Sequence, residues 1–500
     1  MAYSLDVVYG RQVIGQLTQY KETGLLELSY SQQWQETDFT ITQQLDNYWI
    51  IASNYLRLSD LTALALLSSA TPEMIRQQMP AGELSNFNLH YSPTDGLQSI
   101  GFYINNLALS PWRDIPGITN LTAMVKWQGK KGKVNINSHQ LGLYPDNLLK
   151  QPLFFDSVSG TLSFEQKGEG WLFNSHDFNV WNNDLSLNLD GYIEHDGDSK
   201  KTNTNIKLNI NNLIVPRWQS YVPIQILDKD FQEWVKDAFT TGIITTGHIQ
   251  LQGDWDDFLK GDPTSTESTF DLVLNVENGG LHYGPDWPNL EGVTAVLRGT
   301  GNDLVIKSQF GKISGFDFVD VTTSITNLIK VKPTLLTDGN IKGQTSDIVH
   351  FLKNSPLKER FASAVKTVKA SGNSNIELHL RVPITDLYAS QVTGHLSFIN
   401  SQAYDEILPE AVLSNVNGRL NFTEQSVDAN QIKGSLFEQP ITIDVIPNND
   451  KTSVKLKGKV DTETLNTLWP ESIPPYIKGI TNYQLAAVIS EKEIGDFVVD

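Results

Sequence analysis

The 500-residue chain has no cysteine. That absence excludes disulfides, thiol catalysis and cysteine-ligated zinc together. No apolar run reaches the roughly 18 residues a membrane span needs. The nearest, LTALALLSSA (61–70), is too short and has polar flanks. Positive charge is scarce: 38 Lys and Arg stand against 57 Asp and Glu, a formal net charge of −19. A nucleic-acid partner needs a basic footprint to displace counterions, and no basic stretch exists, so that partner class is excluded. No charged n-region or cleavage site is read at the first residues. Met1-Ala2 runs directly into the strand-like YSLDVVYG, and the closing IGDFVVD reads as a strand cut midway. Both ends are therefore expected to lie inside a longer parent, with any membrane anchor of that parent outside this sequence.

Catalytic signatures are missing as well. The nine histidines are His90, His139, His176, His195, His248, His282, His350, His379 and His395, and none are paired at i, i+2 or i, i+4. There is no HExxH and no GxSxG. GTGND (299–303) lacks the third glycine and the helix of a dinucleotide loop, so it reads as a hairpin turn. GKKGK (129–133) lacks Walker spacing and reads as a basic turn. Asp254, Asp256 and Asp257, and the EHDGD of 194–198, carry too few carboxylates at defined spacing for calcium and read as solvated turns. No metal, cofactor or catalytic residue is expected. A carboxylate pair for sugar hydrolysis stays formally open, because a β-rich fold can bring two together, but nothing singles out a pair.

What the chain does have is alternation. In FDLVLNVENGGLHY (270–283), Phe270, Leu272, Leu274 and Val276 fall on one side of an extended chain, with Asp271, Asn275 and Glu277 on the other. Leu185, Leu187 and Leu189 repeat the pattern. So do Ile206, Leu208 and Ile210, and the run Ile376, Leu378, Leu380, Val382 and Ile384. Asp95-Gly96, Asp190-Gly191, Asp196-Gly197, Asn278-Gly279, Asp338-Gly339 and Asn417-Gly418 supply turn chemistry, the last also fitting a bulge. Two helices are well signalled. In 228–242, Phe231, Trp234, Val235, Ala238 and Phe239 lie at helical spacing, with Gly242 suited to the C′ position. In 355–372, Ser355 suits the N-cap, Leu357 and Phe361 share an apolar face, and Lys366 and Lys369 suit the C-terminal end. Weaker helical pieces are 59–68, 72–79 and 461–469.

Each of four helices is followed by a glycine and a strand, at Gly82, Gly242, Gly372 and Gly479. Three of these lead on to a proline and a further hairpin, at Pro116, Pro288 and Pro409. This predicts a divergent array. Its segments are 1–81, 82–241, 242–371, 372–478 and the start of another at 479–500. Alternation alone leaves two solutions: a closed sandwich or β-helix with a dry core, or an open sheet with one uncovered apolar face.

Several stretches resemble one family. QEWVKDAFTTGIITTGHIQLQGDWDDF (232–258) is similar to its tryptophan–alanine–glycine–strand signature. SNIELHLRVPITDL (374–387), QLDNYWIIASNYLRLSDLTALALL (44–67) and MPAGELSNFNLHY (79–91) resemble further elements in the same order. The family is the YhdP-like, AsmA-related group of large Gram-negative envelope proteins, and the chain resembles its central periplasmic region. Tyr91 departs from the usual tryptophan, and spacings between copies are uneven.

The resemblance implies a mainly β fold: an elongated, curved antiparallel sheet forming one continuous open hydrophobic groove, with a few short amphipathic helices, akin to repeating-β-groove lipid transfer proteins. It implies a periplasmic segment of a protein anchored in the inner membrane and reaching the outer one, with phospholipid as its partner, conducted passively and without enzymatic chemistry. The expected lining is Leu185, Leu187, Leu189, Ile206, Leu208, Ile210, Phe270, Leu272, Leu274, Val276, Ile376, Leu378, Leu380, Leu396, Phe398, Leu420 and Phe422. Phe231, Trp234, Phe239, Leu357 and Phe361 are expected on helices at the groove edge. The alternative class is a structural or adhesin-like β-solenoid with a closed, packed core.

Overall fold

A computed structural model describes residues 2–499 except 10–11, 21–24, 31–38, 44–47, 67–70, 114, 146–148, 150, 200, 223, 225–228, 260–267, 327–332, 359–364, 385, 387–388, 449–450, 469–473, 475 and 490–493. The protein is mainly β. Strands β1 to β27 run from Ala2–Tyr9 to Ile494–Val499, with short helices between some of them. The chain divides into two compact units. One comprises residues 1–226 and 245–272, the other 227–244 and 273–500.

The first unit runs from β1 to β13 (Thr202–Ile214) as an antiparallel meander, each strand paired with its chain neighbours. The second contains the same kind of run from β16 (Leu290–Thr300) to β27. Strands β14 (Phe239–Asp254) and β15 (Thr269–Leu281) contribute residues to both units. Among the described pairings β1 bonds only to β2 and β27 only to β26, so the sheet is open, as the alternation and the resemblance together predict.

Alternate connections in a meander fall at alternate margins of the sheet. Helices α1 (Leu58–Ala65) and α2 (Glu73–Gln78) follow β5 (Trp49–Arg57), α5 (Thr345–Lys353) follows β19 (Thr334–Gln344), and α6 (Thr462–Leu468) follows β25 (Lys451–Asp461). These four follow odd-numbered strands, so within each unit they sit at the same margin; the short helix at Trp255–Leu259, after β14, follows an even-numbered one.

Several sequence expectations need correction. Helix α3 spans Lys229–Ala238, and Phe239 already begins β14, so Gly242 lies in a strand and not at a helix C′ position. The β-branched pairs Thr240-Thr241 and Ile243-Ile244 favour extension there. The 355–372 segment likewise turns to strand early: β20 spans Val368–Pro383, and Lys369 pairs with Glu406 at 3.3 Å in place of a helix end. Ser355 Oγ accepts the Leu357 N–H at 3.3 Å, but most of the helix expected after it lies outside the described residues. Helix α5 escapes the alternation reading altogether. Its capping box is present: the Gln344 N–H donates to Asp347 Oδ2 at 2.8 Å. The acidic trio after β14 is no loose turn either. Trp255–Leu259 forms a short helix α4, and Asp257 accepts a hydrogen bond from Ser268 at 2.7 Å.

The turn dipeptides divide. Asp95-Gly96 and Asp196-Gly197 lie at hairpin turns. Asp190-Gly191, Asn278-Gly279, Asp338-Gly339 and Asn417-Gly418 lie inside strands. Glycine and short polar residues serve bulges as readily as turns, because both need unusual φ.

Candidate functional site: an apolar strand face

Residues paired across an antiparallel ladder project to the same face. In the second unit this builds one unbroken row. Phe318 pairs with Ile341, then in turn Ile376, Leu396, Leu420, Ala429, Val445, Val454 and Ala487 follow. Nine consecutive strands, β18 to β26, thus present apolar carbon at one level. The expected residues Ile376, Leu396 and Leu420 belong to it. Leu378 and Phe422 both oppose Gly394 on that face, while Leu380 pairs with Val392 and Phe398 with Ser374.

The first unit does the same. Leu185 pairs with Leu213, Leu187 with Val180 and Ile210, and Leu189 with Phe178 and Leu208. Ile206 opposes Gly191. A second row runs Leu56, Leu84, Ile104, Ala123, Ile136. Sequence reading missed that row because its strands carry bulges that break strict alternation. Phe270 and Leu272 belong to the first unit and Leu274 and Val276 to the second; all four are half-buried on β15.

The opposite face is polar. Arg419 meets Glu377 at 3.5 Å, Lys131 meets Glu165 at 3.1 Å, His395 contacts Asn421 at 2.7 Å and His248 contacts Asn209 at 3.0 Å. These exposed pairs add little stability but keep that face wet. No cluster of three or more metal-ligating side chains exists among the described residues.

Burial shows how far the apolar face is covered. Of the seventeen expected lining residues only Leu185, Ile210 and Leu396 are buried; the rest are half-buried. Fourteen of the seventeen thus keep part of their apolar surface uncovered by protein.

The edge helices are joined by aromatics in the second unit. The Trp234 Nε1–H donates to the Tyr283 carbonyl at 3.2 Å, and its ring meets Phe239 edge-on at 6.2 Å. Tyr283 stacks toward Trp287, and Trp287 toward Phe351 on α5 at 5.9 Å. Burial pushes the Tyr283 phenol far above its ordinary value. Val235 and Ala238 anchor α3, each 1% exposed. Thr345 at the start of α5 meets Ser374 at 2.9 Å and Ser401 at 2.7 Å, a buried hydroxyl trio that fixes α5 on the strands. Phe239 is a strand residue and Leu357 a half-buried residue after α5, so neither stands on a helix as expected. The Phe231 side chain and Phe361 lie outside the described residues.

No described helix is long and apolar enough to cross a membrane. No solved structure matches the chain. One curated relative, the intermembrane phospholipid transporter YhdP of Escherichia coli (strain K12), is 21% identical over 408 residues, covering 80% of this chain and 31% of the relative. The chain thus spans about a third of that protein's length. A family model described as YhdP protein matches residues 16–499. With nearly its whole length inside that match, the chain belongs to the YhdP family.

Proposed function

We propose that this chain is a segment of an intermembrane phospholipid transporter of the cell envelope, and that its apolar strand face carries the acyl tails. The observation that carries this reading is the unbroken row from Phe318 to Ala487, continued on half-buried side chains with no protein layer to match. Carrying a tail of about 16 carbons through water costs about 12 kcal/mol, at about 0.8 kcal/mol per methylene. A continuous apolar lining removes most of that cost without any chemistry. The headgroup stays at the open side, in water. Such a groove is passive: it selects weakly for chain type and fixes no direction. The lining residues are those named from the sequence together with the missed rows, and Trp234, Phe239 and Leu357 flank them near the helical margin. The segment works in the periplasm, with its parent anchored in the inner membrane and reaching the outer one.

A sealed solenoid core would need all these side chains almost fully buried; Phe318, Leu396, Ala429 and Val445 are, but Ile341, Ile376, Leu420 and Val454 in the same row are only half-buried, which argues for the open reading. Native mass spectrometry of the gently purified chain tests it. Co-purifying phospholipid is the expected result. A lipid-free chain that also excludes an apolar fluorescent probe would overturn the proposal.

A further inference from the structure

A second regularity crosses the strands. Asn106 on β7 (Gly96–Leu109), Asp177 on β11 (Gly170–Trp181), Asn400 on β21 (Gln391–Asp405) and Gln431 on β23 (Val427–Leu436) all have positive φ, between 48° and 54°. The pairing register shifts at each of the four. These are bulges, and each places two successive residues on the outer face. The inner residues on either side are then three apart: Ile104 and Leu107, Ser175 and Phe178, Phe398 and Ser401, Ala429 and Ile432. The apolar face thus stays continuous through the bend.

Each bulge has the same two neighbours. On the preceding strand stands a glycine with positive φ: Gly82, Gly160, Gly372 or Gly418. A Cβ on Gly160 would lie 2.6 Å from Phe178 Cα, and one on Gly372 would lie 2.5 Å from Ser401 Cα, so the backbones approach too closely for any side chain. On the following strand a polar side chain accepts the bulge N–H that the ladder leaves unpaired. Asp177 donates to Asp190 Oδ1 at 2.9 Å, Asn400 to Asn417 Oδ1 at 3.0 Å, and Gln431 to Asp444 Oδ1 at 2.9 Å. Asn106 reaches Thr122 Oγ1 at a longer 3.4 Å.

Burial is deep beside three of the bulges, where Ile104 is 5% exposed, Ser401 2% and Ile432 4%. Beside Asp177, Ser175 and Phe178 are half-buried, whereas Phe173, further along that strand on the same face, is 50% exposed. The line of bulges is therefore the floor of a concave face in each unit, with the outward residue pairs on the convex side.

We propose that Asp190, Asn417 and Asp444 are positioning residues that pin this bend, and that the bend sets how much acyl chain the concave face holds. The consequence for lipid rests on the function proposed above; the bend does not. The two are separable by experiment. In β22 (Leu408–Thr423) Asn415 also has positive φ, with a register shift beside it, and its carbonyl accepts from Asn417 Nδ2 at 2.8 Å. The chain has no cysteine, so spin labels at Glu410→Cys and Arg419→Cys, on either side of Asn415, are unique. In lipid-free protein, Asn417→Ala with Asp444→Ala is expected to lengthen and broaden the interlabel distance by several ångströms, while Asp444→Asn, which keeps an acceptor, restores it. In protein purified with lipid, the double variant is expected to show a changed phospholipid load and acyl-length profile by mass spectrometry, at least twofold in the most affected species. Asp190→Ala repeats the load measurement in the first unit should the double variant fail to fold. An unchanged distance overturns the pinning role. A changed distance with unchanged load and profile overturns the link to capacity. Absence of lipid from the unaltered chain overturns the function and leaves the distance result standing for the bend.

Discussion

Two regions of the first unit carry the same kind of side chain and differ in fate. Beside the bulges, Leu56, Leu84, Ile104 and Ala123 are each 3–5% exposed and packed by Phe87, Phe102, Leu107 and Ile136. Further along the strands, Leu162 is 36% and Phe173 50% exposed, although Phe173 touches Phe164 and Trp171. The floor is an ordinary protein core. The wall is apolar surface that the chain itself does not cover. Under the proposed function, stability and lipid handling fall to different residues of one face, and that division can be attacked directly.

The largest expected effect is at the floor. Ile104→Asp buries an unpaired carboxylate and is expected to cost on the order of 4 kcal/mol, a large drop in the thermal midpoint by circular dichroism. Phe173→Asp on the wall is expected to cost under about 1 kcal/mol. Equal losses would erase the distinction between floor and wall. Next, Gly160→Ala forces a Cβ against Phe178 at the bend and is expected to cost about 2 kcal/mol by chemical denaturation. Ser401→Ala removes a partner from the buried hydroxyl trio under α5, with an expected loss of about 1–2 kcal/mol in the same assay. Leu187→Glu, on the half-buried wall, is expected to leave folding nearly intact while reducing photo-crosslinking to lipid at that level. Unfolding instead would mean the wall is sealed. The smallest effect lies outside both regions. The Thr464 backbone N–H, then its hydroxyl, hold the Asp461 carboxyl below its ordinary value of 3.8 at the start of α6. A lowered folded value means stability present above 3.8 and lost as the pH falls through the lowered one. An acid melt should therefore separate the unaltered chain from Asp461→Asn at neutral pH and bring them together in strong acid.

Much of the wall was legible in the sequence, but of the buried floor little beyond Leu185, Ile210 and Leu396 was. Leu187, Leu378 and Phe422 sit in runs of strict alternation, which is a direct imprint of pleat geometry. Ile104, Val416 and Ile432 sit next to bulges, where one extra residue reverses inside and outside, and a two-residue period loses them. The visible trace was a polar residue before glycine inside an alternating run, as at Asp190-Gly191 and Asn417-Gly418. That pair is chemically indistinguishable from a hairpin turn until strand length is known. Helix ends failed for a related reason. Val235 and Ala238 mark the buried face of α3, and the apolar spacing runs on into Phe239, but the β-branched residues from Thr240 onward turn the chain to strand.

Every described pairing outside β14 and β15 joins strands that are neighbours in the chain, and none closes a ring. Such a sheet can be lengthened by inserting hairpins anywhere along it. Insertion in twos keeps helical connections on their own side, whereas a single added strand would transfer all later ones across. Strand number is then adjustable without altering existing pairings, and assembly can proceed one hairpin at a time, with no distant strands to bring together.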